Sequence, residues 1–180
     1  MKLLEALNGN KNKKPIWLMR QAGRHLPEYR ELRKKSSDLM KMFLNDDIIS
    51  QITLQPIERY EMDAAILFSD ILMVPYSLGS SLSFQEGGIG PVVKLVKLDN
   101  ELKQDLNLLK PVFNGITKIK KETQNKIPLI GFVGGVWTTI YFSIFNKIER
   151  NDINQKLIIN KREEIGKLID VFTEATTKYA

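Results

Sequence analysis

Cysteine is absent from this chain, and histidine occurs once, as His25. The first absence excludes disulfides and thiolate metal sites, and the second leaves no histidine cluster to hold a metal. No apolar run approaches the roughly 18 residues that a bilayer-crossing helix needs. The N-terminus, Met1-Lys2-Leu3-Leu4-Glu5-Ala6-Leu7, is too short and too charged for a secretion signal, so a cytoplasmic protein is expected. Gly131-Phe132-Val133-Gly134-Gly135-Val136 has neither the phosphate-loop spacing with its lysine nor the dinucleotide fingerprint. Its glycines fit a close backbone approach at a strand end instead.

What is present is ordinary in bulk and unusual in a few places. The 180 residues, 43% hydrophobic and 27% charged, suffice for one domain with a sizeable core, taken as 1–180. The net charge of +6 admits nucleic acid or an acidic small molecule as partner. The lysines are scattered, however, as in Lys118, Lys120 and Lys121, and form no basic stripe with aromatics, so nucleic acid is not expected.

Along the chain, residues 1–14 read as a short helix and a polar loop, and 15–21 as a first strand. A helix begins at Leu26-Pro27, with Pro27 in its first turn. Asp46 or Asp47 is placed to cap the next helix, whose inner face is Ile49, Ile52, Ile57 and Tyr60 and which Pro56 should kink or shorten. Ala64 to Phe68 is apolar without alternation, as in a strand covered on both faces. Ser81 to Gly88 alternates and reads as an excursion strand or a hairpin arm. Pro111 opens a helix with Val112, Ile116 and Ile119 inward. Pro128 to Val133 reads as a third strand, and Val136 to about Ile148 as a helix. Asn160 is placed to cap a last helix with the face Ile165, Leu168, Ile169, Phe172 and Tyr179. Strands alternating with helices define an α/β class with about three parallel strands.

In such folds the chemistry gathers at strand ends. The first predicted strand runs into Arg20-Gln21-Ala22-Gly23-Arg24. Two guanidinium groups beside Ala-Gly point to an anion site, with glycine giving the backbone room to turn. The competing reading pairs them with Glu28 or Glu31 on the surface. Arg30 and Arg33 read as solvated or salt-bridged. Asp70 follows an apolar strand and Ser69. A carboxylate there must find donors or shift its pKa; a plain helix N-cap is the other reading. Glu61 and Asp63 read as solvated turn residues. Trp137 and Tyr141 read as core aromatics, the Tyr141 hydroxyl being the part with functional potential.

These stretches resemble the uroporphyrinogen decarboxylase family. Trp17-Leu18-Met19-Arg20-Gln21-Ala22-Gly23-Arg24-His25-Leu26-Pro27-Glu28-Tyr29-Arg30 is similar to that family's N-terminal signature, with His25 where tyrosine is usual. Asp63 to Leu72 and Gly131 to Thr138 resemble two further blocks, Val136 replacing a usual proline, and Phe172-Thr173-Glu174-Ala175-Thr176 is also similar. The resemblance implies a (β/α)8 barrel, a homodimer, and no metal or cofactor. It implies a lyase that converts the four acetates of uroporphyrinogen III to methyls, giving coproporphyrinogen III in haem biosynthesis. By resemblance Arg20, Gln21, Ala22, Gly23 and Arg24 line the substrate site. Asp70 accepts the pyrrole N–H groups and steadies the cationic ring, and Arg20 orients the reacting acetate or relays a proton. The family's tyrosine falls on Phe142 without a gap, with Tyr141 one residue earlier and about 100° round the helix.

A barrel of this kind takes about 250 residues, so the chain reads as the N-terminal portion of one, inactive by itself. The rival readings are a non-catalytic tetrapyrrole-binding or complementing half, a decayed remnant, and a corrinoid- or zinc-linked methyltransferase relative. The last lacks its cysteine ligands here.

Overall fold

A computed structural model describes residues 1–36, 38–84, 91–94, 102–145 and 162–180. In chain order these form α1 (Lys2–Leu7), α2 (Pro27–Lys35), α3 (Leu39–Phe43), α4 (Asp46–Tyr60), β1 (Ala65–Ile66), α5 (Met73–Ser77), β2 (Ser81–Phe84), β3 (Pro91–Lys94), a 3-10 turn (Leu106–Leu109), α6 (Lys110–Glu122), β4 (Leu129–Ile130), α7 (Val136–Phe145) and α8 (Arg162–Tyr179). They fall into two compact units. The first is Met1–Ser69 with Lys110–Phe132, and the second is Asp70–Leu109 with Val133–Ala180.

In the first unit β1 pairs in parallel with β4, Ala65 opposite Leu129 and Ile66 opposite Ile130. A parallel pair needs a long connection between its strands. Helices α4 and α6 pack through Ile49, Leu54, Val112 and Ile119, with Leu67 of the strand segment in the same cluster. Gly115 makes the approach close: a Cβ there would lie 2.7 Å from Ile49 Cγ2. A second cluster joins Leu26, Tyr29, Met42 and Ile52. In the second unit α5, α7 and α8 share a core of Val74, Leu78, Ile140, Leu168, Phe172 and Ala175. There β2 and β3 form an antiparallel pair, Ser81 opposite Lys94 and Phe84 opposite Pro91. Burying each of the larger side chains stabilises a core of this kind by about 1.5–3 kcal/mol.

The α/β class holds, with Pro27 at the start of α2 and Val112 and Ile119 buried on α6 as expected. Five expectations need correction. The 15–21 segment is not a strand: it meets the 63–66 stretch at its two ends only, so it forms no ladder. Its Ile16, Leu18 and Met19 are exposed, and among the described residues a single parallel pair stands where about three strands were expected. The cap of α4 is Asn45, whose side chain accepts the Ile48 N–H at 2.9 Å, one residue before the expected aspartates. Pro56 is buried inside an α4 that continues to Tyr60, so it does not shorten the helix, and Tyr60 itself is exposed. Ile169 on α8 is exposed, whereas Ile165, Leu168 and Phe172 are buried. Asp63 is an anchor and not a solvated turn residue: its Oδ2 accepts the Ile16 N–H at 2.9 Å, and it pairs with Lys2 at 3.1 Å. Gln85 to Gly88, the end of the predicted α7 beyond Phe145, and Asn160 lie outside the described residues.

Candidate functional site

The Arg20–Arg24 loop belongs to the first unit and is fixed from three sides. Gln21, 4% exposed, donates from Nε2 to the Ala64 carbonyl at 2.7 Å and accepts the Ile66 N–H at 2.9 Å. Leu26 is fully buried in the core with Tyr29 and Met42, and its N–H closes a turn on the Gly23 carbonyl at 3.0 Å. Arg30, reaching back from α2, donates to the carbonyls of Arg24 at 2.8 Å and His25 at 3.3 Å. His25 stacks on Tyr60, 6.5 Å between ring centres.

This scaffold leaves Arg20 and Arg24 exposed, with no ion-pair or hydrogen-bond partner among the described residues. The carboxylates expected to neutralise them are engaged elsewhere. Glu28 forms a two-point pair with Arg59 at 2.8 and 2.9 Å, which lowers its pKa, and Glu31 pairs with Lys34 at 2.8 Å. Arg33 donates to the Ser36 carbonyl at 2.7 Å. Gly23 departs from expectation. Its φ lies outside the left-handed region, and an added Cβ would make only an ordinary contact with the His25 ring at 3.6 Å. The fold of the loop does not require glycine there, which leaves room for something in front of it as the reason for one.

Asp70 opens the second unit. It is not the cap of α5, which is Leu72. Its Oδ1 accepts the Leu72 N–H at 2.8 Å, a local turn two residues long. Burial raises its pKa, and the Leu72 hydrogen bond only partly offsets that. A largely desolvated carboxylate with a single donor among the described residues favours any further N–H donor or positive charge that reaches it. Gly134 holds this turn from the other side, since a Cβ there would lie 2.6 Å from the Ile71 carbonyl and closer still to Thr139 Cγ2. Here close approach does require glycine. Tyr141, 9% exposed, and half-buried Phe142 lie on α7 in the same unit. In the first unit Ser69 ends the β1 segment with a buried hydroxyl that has no partner among the described residues.

Sequence reasoning missed two residues that shape these loops, Asp63 and Thr53, whose Oγ1 accepts the Phe68 N–H at 2.9 Å; the close approach expected of the 131–135 glycines is found at Gly134, against the Ile71 carbonyl. The acidic residue directly before an apolar strand was the available signal for Asp63. For Thr53 there was none, because the contact joins a helix interior to a strand end. A cleft of about 540 Å³ in the second unit, lined by Leu78, Gln104, Asp105 and Glu174 among others, includes none of the candidate residues. No helix among the described residues is long and apolar enough to cross a membrane.

Parallel β1 and β4 with helices between them define an α/β protein of the barrel class, with two exposed arginines, unpaired among the described residues, in the loop bonded to β1. One solved structure, a methyltransferase from Methanosarcina mazei, shares that fold with a TM-score of 0.71 at 19% identity, covering 97% of this chain and 52% of the other. The uroporphyrinogen decarboxylase (URO-D) profile matches residues 1–180, and the chain belongs to that family. It is 40% identical to the uroporphyrinogen decarboxylase of Chelativorans sp. over 184 residues, covering 99% of this chain and 54% of that protein. With the uroporphyrinogen decarboxylase of Rickettsia africae it is 38% identical over 182 residues, covering 98% and 52%. The chain thus spans about half the length of the curated relatives it matches.

Proposed function

We propose that this chain supplies the acid-receiving part of a uroporphyrinogen decarboxylase. The substrate, uroporphyrinogen III, carries four acetate and four propionate arms on a ring of pyrrole N–H groups. The observation that carries the reading is that Arg20 and Arg24 remain unpartnered and exposed while the nearby glutamates are paired with other cations. Guanidinium groups bind carboxylates through two parallel charge-assisted hydrogen bonds. Ala22 and Gly23 let the ring edge approach the loop, and Gln21 takes part from behind, its amide turned onto β1.

Loss of CO2 from an acetate leaves an electron pair that needs a sink. Protonation of the adjacent pyrrole carbon makes the ring cationic. The C–C bond to the carboxylate then breaks, CO2 leaves and the electrons of that bond flow into the ring. A proton from solvent or an acid adds to the methylene so formed to complete the methyl group. The proton first placed on the ring carbon is lost, which restores the pyrrole. Asp70 accepts pyrrole N–H bonds and stabilises that cation, a role worth more in a desolvated site than in water. A cation bound beside it favours the ionised form of Asp70, against the effect of burial. Arg20 holds the reacting acetate and Tyr141 contributes its hydroxyl. The full reaction gives coproporphyrinogen III, in the cytoplasm and from a homodimer. The 180 residues bind the tetrapyrrole and do not turn it over by themselves, a reading supported by their span of about half of each relative.

The test uses the 180-residue chain. Fluorescence titration with uroporphyrin I should show salt-dependent binding, and chromatography after incubation with uroporphyrinogen III should show no coproporphyrinogen. Absence of binding overturns the site, and turnover by the chain alone overturns its inactivity.

A further inference from the structure

The side chain of Gln21 occupies an unusual place. In a parallel sheet, a residue facing position j donates its N–H to the carbonyl of j−1 and accepts the N–H of j+1. The Gln21 amide reproduces that pattern about Ala65: Nε2 donates to Ala64 O at 2.7 Å, and Oε1 accepts from Ile66 N at 2.9 Å. The opposite edge is bonded by true strand partners, Ala65 N to Pro128 O at 2.9 Å and Leu67 N to Ile130 O at 3.0 Å. The next amide on the Gln21 edge, that of Phe68, is taken by Thr53 Oγ1. Side chains therefore satisfy groups that a neighbouring strand would otherwise bond.

We propose that Gln21 is a positioning residue: its amide stands in for one residue of a parallel strand opposite Ala65, and so fixes the Arg20–Arg24 loop to the segment that leads into Asp70. Its relevance to substrate rests on the tetrapyrrole reading above. Both ends of the amide are engaged, and the side chain is 4% exposed, which leaves it little capacity to contact a ligand. The chemistry selects an amide. A carboxylate accepts the Ile66 N–H but sets a lone pair against the Ala64 carbonyl. A thioether of similar length makes neither bond, and asparagine is a methylene short. A protonated glutamate donates and accepts as glutamine does.

The first experiment is amide hydrogen exchange by NMR on the 180-residue chain. In Gln21→Met the Ile66 amide should exchange about tenfold faster relative to Leu67, whose partner on β4 is untouched. The Arg20–Arg24 resonances should shift with it. Unchanged Ile66 protection, or an unmoved loop, overturns the proposal. Gln21→Glu provides the second variant. Its loop and Ile66 signals should return toward wild type as acid protonates the glutamate, and pH-independent signals in this variant overturn it equally. The third arm is uroporphyrin I affinity. Gln21→Met should weaken binding in wild type but cost nothing further once Arg20 and Arg24 are both methionine. A loss that adds in full there means that Gln21 touches the ligand itself, and overturns the positioning role. Wild-type chain that fails to bind uroporphyrin overturns the tetrapyrrole reading, and the exchange arms still decide whether Gln21 positions the loop.

Discussion

In the Arg20–Arg24 loop a side chain does the fixing, whereas at the Asp70 turn a missing side chain does. Gln21 reaches across to the 64–66 backbone and holds two exposed, unpaired guanidinium groups in place. Gly134 withholds a Cβ and lets the backbone beside Asp70 close in, around a carboxylate that is largely out of water. The two kinds of charge call for these two kinds of support. A guanidinium is always ionised, so it needs no desolvation to set its charge and is ready to bind when it is unpaired and aimed. A carboxylate gains chemical leverage by desolvation, at a cost to stability that its packing must bear. Replacing the two arginines or adding a Cβ at Gly23 should therefore cost the fold little, whereas adding a side chain at Gly134 should cost it much.

The largest effect tests that contrast directly. Gly134→Val places atoms against the Ile71 carbonyl, which is backbone and cannot swing away, and should cost about 3 kcal/mol or more. Gly23→Ala meets only the His25 ring at 3.6 Å and should stay within about 0.5 kcal/mol of wild type. Urea denaturation of both variants decides it, and equal costs would break the contrast. Replacing Arg20 and Arg24 together by methionine should leave the stability within about 0.5 kcal/mol of wild type. Uroporphyrin affinity should nevertheless fall about 100-fold, since each charge-assisted bond lost is worth about 1.5–3 kcal/mol. A large fall in stability in that variant would mean that the arginines are structural after all.

How much of this was legible beforehand differs between the same two places. The apolar run ending in Ser69-Asp70 was readable, because a strand buried on both faces has a local signature, and so was the arginine cluster beside it. The 15–21 segment was misread for a physical reason. Ile16-Trp17-Leu18-Met19 has strand composition, but a strand exists only when a neighbour bonds its backbone, and composition does not reveal whether the neighbour's edge is already taken by Gln21 and Thr53. The cap of α4 was placed one residue late because Asn45, Asp46 and Asp47 all suit that position and only the backbone turn selects among them. Gly134 was marked for close approach at a strand end, but that it presses on Ile71 became visible only when the second unit folded around Asp70.

Smaller effects follow from Asp70. Its pKa is raised in the folded chain, by burial. A group raised above its unfolded value contributes stability that is fully present below the unfolded pKa and is lost as pH rises through the folded pKa. Above its unfolded pKa, then, Asp70 weakens the fold, because burial disfavours the charged carboxylate. Asp70→Asn keeps an oxygen for the Leu72 N–H and removes the charge. It should be more stable than wild type at neutral pH, and the advantage should fade on acidification. Thermal midpoints of the two proteins measured across that range provide the check. An Asp70→Asn variant less stable than wild type at neutral pH would show that Asp70 already has a partner for its charge.

Asp63 gives the smallest effect and the opposite slope. It precedes the β1 segment as Asp70 follows it, and its pKa is lowered, first by the Ile16 N–H and then by Lys2. A lowered carboxylate contributes stability above its unfolded pKa and loses it as pH falls through the folded one. Asp63→Asn should therefore be slightly less stable than wild type at neutral pH, because an exposed pair of this kind contributes little. The difference should vanish in acid, where the Asp70 difference vanishes too but from the other side. Measuring both variants at the same pH values separates the two aspartates by the sign of the difference alone. If both differences carry the same sign, one carboxylate is not in the surroundings the structure gives it. Exchange at the Ile16 amide, which only Asp63→Asn should accelerate, then identifies which.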